Sequence, residues 1–149
     1  MASVIYNKAL QQIAAGEYDL NTDDIRARLV MTNTTCDTEN DGIEQLADFT
    51  TIDIADATGY ADIDMTSLAV NLDDANNRAE FDAADLVFSG LSGNASRAFQ
   101  GVLLYIYVDG TNANDLALAF IDFTSDISAT ATQVTVPWDS EGIIQFSQA

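Results

Sequence analysis

The chain has no histidine, one cysteine, one proline and one lysine among its 149 residues. Without histidine it lacks the commonest general base, the usual partner of a nucleophilic serine or cysteine, and the commonest transition-metal ligand. Cys36 stands alone, so an internal disulfide framework is excluded. Asp37, Glu39 and Asp41 follow it closely, and their charges are expected to raise its thiol pKa and blunt it. No apolar run is long enough to span a bilayer as a helix. The opening Met1-Ala2-Ser3-Val4-Ile5-Tyr6-Asn7-Lys8 lacks the basic and apolar leader that export requires, which predicts a protein made and left in the cytoplasm. Gly-rich phosphate loops, cysteine-rich zinc patterns and nucleophile elbows are missing too.

Positive charge is scarce. Aspartate and glutamate outnumber lysine and arginine 24 to 5, for a net charge of -19. The cations Lys8, Arg26, Arg28, Arg78 and Arg97 form no basic run. Such a surface repels nucleic-acid backbones and anionic membranes alike. The acidity reads either as a solubilising face matched to cations or a basic partner, or as adaptation to a salty medium. Hydrophobic content of 48% argues against disorder.

What is present reads as one β domain over residues 1–149. Ile5, Tyr6, Ala9, Leu10 and Ile13 recur at helical spacing, which predicts one short helix over Ser3–Ala15 with Ser3 as N-cap and Gly16 as stop. From Ile25 the period becomes two, Ile25, Ala27, Leu29 and Met31 alternating with Arg26, Arg28, Val30 and Thr32. Further strands are expected at 49–54, 60–72 (with a break near Thr66-Ser67), 79–82, 86–88, 134–138 and 143–146. The continuously apolar segments 102–108 and 116–123 belong at the centre. Turn chemistry at Asp73–Asn77, Asp109-Gly110 and Glu141-Gly142 separates the runs. Eight or nine short strands with one N-terminal helix predict an all-β, two-sheet β-sandwich of jelly-roll or Greek-key connection.

Candidate chemistry is thin. With 24 acids some carboxylate pair always lies at a glycosidase distance, so that signal is unspecific. Asp37, Glu39, Asp41 and Asp48, with Gly42 in the sixth position, resemble a calcium loop, yet no helix precedes them and the twelfth ligand is Asp. A solvated acidic loop is the plainer reading, and neither metal nor cofactor is expected. Asn33-Thr34-Thr35 and Asn94-Ala95-Ser96 match the glycosylation pattern by chance. Tyr60, Tyr105, Tyr107 and Trp138 offer a sugar-stacking platform, although Tyr105 and Tyr107 share one side of an apolar strand and suit a core or subunit interface better. Ile5, Tyr6, Leu10, Ile13, Tyr105 and Tyr107 are the candidate interface residues.

Several pieces in order carry a resemblance: Gly16-Glu17-Tyr18-Asp19-Leu20-Asn21-Thr22-Asp23-Asp24-Ile25 leading into Arg26–Met31, Gly59-Tyr60, Asn77–Asp85, Ala119–Phe123, and Val134–Trp138 with Gly142–Ile144. Together they resemble small tailed-bacteriophage virion proteins, among them head decoration (cement) proteins. The resemblance implies a non-enzymatic protein on the outer capsid surface. Its partners would be the major capsid protein and, in a homotrimer, itself, with no nucleic acid or membrane. A tail or head–tail joining component and a glycan-binding module are the alternatives.

Overall fold

The computed structural model describes residues 3–147, two fewer at each end than the domain expected over 1–149. It is mostly β with one short helix. The elements are β1 (Val4–Ile5), α1 (Asn7–Ala15), β2 (Ile25–Met31), β3 (Ile63–Asp64), β4 (Ala69–Asp73), β5 (Arg78–Asp82), β6 (Leu86–Phe88), β7 (Phe99–Ile106), β8 (Leu116–Ile127), β9 (Val134–Val136) and β10 (Ile144–Ser147), with a 3-10 turn at Leu46–Asp48. They form an antiparallel five-stranded sheet in the order β1-β8-β7-β2-β3, a three-stranded sheet β10-β5-β4 and a ribbon β6-β9.

All eight residues of β7 are buried. Side chains alternate across a strand, so both faces of the sheet are covered at β7, and an unbroken apolar run such as Val102–Ile106 is what that position requires. Phe81 and Ile144 from the three-stranded sheet, and Leu86, Phe88, Val134 and Val136 from the ribbon, join the same hydrophobic core as Leu29, Val102 and Leu104. This arrangement is compatible with a two-layer sandwich. The strand orders do not establish a jelly roll.

The expected helix start, its N-cap and the strand at 49–54 are corrected, whereas the break near Thr66-Ser67 is found. The helix starts at Asn7, and Tyr6 in extended conformation is its N-cap, with no capping side chain. Val4 and Ile5 instead pair with Phe120 and Ala119, because two β-branched residues beside an open sheet edge gain more as strand than as a first helical turn. Ser3 accepts a hydrogen bond from the Asp122 amide and caps nothing. Gly16 is the stop as expected, at φ 75°, with Gly16 and Glu17 amides returning to Ile13 and Gln12 carbonyls. Residues 49–54 form no strand, only a single bridge from Ile54 to Val30. The run 60–72 divides into β3 and β4, with Ser67 at φ 58° in the break.

Close packing leaves no space beside β7 at Gly101. A Cβ there would overlap the Ile121 carbonyl oxygen and lie 2.6 Å from Cζ of Phe120. Gly101→Ala is expected to cost about 1–3 kcal/mol through overpacking, read as a lower urea midpoint at unchanged slope. An unchanged midpoint would mean that the sheet centre has slack the packing does not show.

Candidate functional site

The densest polar arrangement lies across β2, β3 and β7. Arg26 and Arg28, two apart, project from the same face of β2. β3 pairs with β2 so that Asp64 stands opposite Arg26, and the chain just before it brings Asp62 to Arg28. Nε and Nη2 of Arg28 both lie 2.9 Å from Oδ2 of Asp62. The Tyr105 hydroxyl donates to the same oxygen at 2.7 Å, and the Tyr60 hydroxyl donates to Oδ1 at 2.6 Å. Tyr60 in turn accepts the Leu29 amide at 2.8 Å, and Arg28 Nη1 donates to Asn112. The rings complete the ladder: the Arg26 guanidinium sits 3.4 Å from the Tyr107 centroid and that of Arg28 4.9 Å from Tyr105.

Both carboxylate oxygens of Asp62 accept, from donors in three separate parts of the chain, so the arrangement works as a tie between strands. Burial, with the neighbouring Asp62 charge, pushes the Tyr60 hydroxyl well above the usual phenol range. Burial and the hydrogen bond to Asp62 do the same to Tyr105. Both phenols therefore hold their protons at neutral pH. Tyr60 and Asp62 also line a depression of about 160 Å³ walled by Val87, Phe88 and Leu91.

The remaining arginines are also paired, Arg97 with Asp53 at 2.5 Å, and Arg78 with Asp73, Glu80 and Glu141. The acidic loop holds itself together. Asp37 accepts from Gln100, Glu39 from Thr35 and Thr50, and Asp48 from the Glu44 and Gln45 amides. Glu39, Asp41 and Asp48 line one shallow depression with Thr38, Asn40 and Ile43. Among the described residues no three carboxylate, cysteine or histidine groups converge as metal ligands would.

The interface candidates divide. Tyr6 and Tyr105 are buried within the chain, at 0% and 2% exposure, and are corrected to core residues. Tyr6 donates to the Cys36 carbonyl and meets Phe49 edge-on, while Tyr105 belongs to the ladder. Tyr107 is half-buried under Arg26. Ile5 and Ile13 are half-buried, and Leu10 is exposed. The sugar platform does not assemble either. Tyr60 is half-buried, stacked on Phe88 and tied to Asp62, and the Trp138 indole is fixed to the Ala84 carbonyl.

Sequence reading singled out Arg26 and Arg28 only as charges in an otherwise apolar strand. It missed Asp62 and Asn112, which lie 34 and 84 residues from Arg28. The available signal was an arginine flanked by apolar residues in a central strand, which obliges a carboxylate somewhere. No protein-family model, curated protein or solved structure matches the chain.

Two predictions follow from this chemistry. Asp62→Ala strands a guanidinium whose side chain is 9% exposed and is expected to cost about 3–5 kcal/mol in urea unfolding. Arg28→Met with Asp62→Leu should recover most of that loss. A cost below about 1 kcal/mol, the range of exposed pairs, would show the tie to be idle. Cys36 is fully buried, and burial, with Asp37 and Glu39 adding to it, pushes its thiol up to about 12. Iodoacetamide at pH 8 should therefore label it only in the unfolded protein, and rapid labelling of the native chain would refute its placement.

Proposed function

We propose that the chain is a non-enzymatic structural protein of a tailed-bacteriophage virion, decorating and stabilising the capsid from outside. The carrying observation is the ordered resemblance along nearly the whole chain, taken with where its pieces lie. Arg26–Met31 is β2. Asn77–Asp82 supplies the turn into β5 and the strand itself, with Asn77 at φ 54°. Ala119–Phe123 lies in β8, and Val134–Trp138 opens with β9. All of them are framework.

Two physical features support the placement. A net charge of -19 suits the outside of a DNA-filled shell and opposes contact with packaged phosphate. Polar groups that might otherwise serve chemistry, Asp62, Tyr60 and Tyr105 above all, are committed to holding strands together. Many modest contacts repeated over a lattice supply avidity without a single tight site.

Quantitative mass spectrometry of purified virions decides the matter. A copy number comparable to that of the major capsid protein is expected. A handful per particle would move the protein to the tail or head–tail junction, and its absence from virions would overturn the virion reading.

A further inference from the structure

The three-stranded sheet is apolar on one face, but that face is covered only in part. Register places Val70, Phe81 and Ile144 in one cross-strand row and Leu72, Ala79 and Phe146 in the next. Phe81 and Ile144 are buried, whereas Val70 is 40% and Leu72 75% exposed, and Phe146 is half-buried. Ile13, Tyr18, Val70 and Phe146 line a depression of about 350 Å³, and Leu72 and Phe146 line an adjoining one of about 290 Å³. Phe146 is common to both, so they adjoin along a groove from α1 to the β4–β5 hairpin, mainly apolar at the first and with Asp74, Asn77 and Arg78 completing the wall of the second.

β4 is also the outer strand of its sheet. The Val70 amide points away from β5, since it donates to the Asn21 side chain at 2.8 Å. By the alternation of an antiparallel ladder, the backbone amide and carbonyl of Leu72 face the same side, which Asn21 covers at Val70 and which is open at Leu72, 75% exposed. An exposed edge carrying apolar side chains is a template for another strand.

Charge selects which strand. Asp19 lines the first depression and Asp74 the second. Arg78 lines the second depression too, but its charge is already shared by Asp73, Glu80 and Glu141. A second copy of this chain would bring another charge of -19 to the same place. We infer that the β4 edge and the Val70–Leu72–Phe146 groove form a docking surface for an extended segment of a different protein, apolar at alternate positions and rich in lysine or arginine between them. The inference rests on the edge and groove alone, so its failure leaves the virion reading to the copy-number measurement.

The test titrates the 15N-labelled chain with a short peptide alternating lysine and valine, and separately with its glutamate–valine counterpart. The lysine peptide is expected to move the amide resonances of 69–73 and 144–147, and to bind more weakly as NaCl rises to about 0.5 M. Leu72→Asn, at a position exposed enough to leave the fold intact, should weaken binding about tenfold. Equal binding of both peptides, binding elsewhere or no binding would overturn the inference. So would sedimentation showing a dimer of the free chain that Leu72→Asn abolishes, because the occupant would then be a second copy.

Discussion

A guanidinium in the middle of a sheet has to be neutralised where it stands, and Arg28 imposes that requirement on this fold. An unpaired buried charge costs several kcal/mol, comparable with the whole margin by which a domain is stable. Asp62 meets the demand only if the segment before β3 lies along β2, which fixes the register of Arg26 against Asp64. Tyr105 must then face Asp62 from β7, and Tyr60 must reach back to the Leu29 amide. One charge thus sets the relative positions of two paired strands, the segment leading into a third and the loop bearing Asn112. Hydrophobic burial supplies the driving force for the sheet but tolerates slippage by two residues. The ladder does not, because a slip by two would carry one arginine to the other's aspartate and leave the remaining arginine and aspartate without partners.

The acidity has a structural share that composition hides. Asp19, Asp73 and Asp109 each accept an amide two or three residues further on, and Asp115 takes the amides of Val108, Asp109 and Gly110 together. Asp53 joins Asn33 to Arg97, and Asp56 holds Ser96. Hydrogen bonds to a carboxylate favour its charged form, and the pKa values are held below the ordinary carboxylate range chiefly by the Asn21 amide at Asp19 and by the Ser96, Asn76 and Thr111 side chains at Asp56, Asp73 and Asp109. Arg97 does the same for Asp53. Several connections in this chain are therefore closed by an aspartate, where other proteins use proline. A chain with one proline needs such a substitute.

How legible the sequence was depended on whether the information was local. Gly16 ended the helix because its left-handed conformation is a property of that residue. The apolar runs of β7 and β8 announced a centre buried on both faces, which holds for all of β7 and for residues 117–120 of β8. The start of α1 was misread because Ile5 satisfies helical spacing and strand pairing equally well, and only the presence of β8 beside it decides. Residues 49–54 carried a strand pattern, but Asp53 at φ 52° interrupts the extended backbone and leaves a single bridge from Ile54 to Val30. The ladder partners were invisible for the same reason: sequence shows that Arg28 needs a carboxylate, while 24 acids compete for the role. Tyr6 read as an interface residue and Tyr105 as core or interface, and only the backbone, by bringing the Cys36 carbonyl and Asp62 within reach of their hydroxyls, places both in the core.

Net charge and the open edge are connected. Exposed edge strands invite association with identical chains, and proteins usually prevent it with an edge lysine, a proline or a bulge. β4 has none of these within Ala69–Asp73 and ends in the consecutive acids Asp73 and Asp74. Repulsion between copies does the same work from a distance, over roughly 8 Å at physiological ionic strength. It differs from a local block in one respect. A proline or bulge closes an edge to every partner, whereas a field of one sign closes it to like charge and leaves it open to the opposite. An acidic protein can therefore keep Val70 and Leu72 exposed without pairing with itself, and the charge that composition presents as a single total becomes a filter on what the edge accepts.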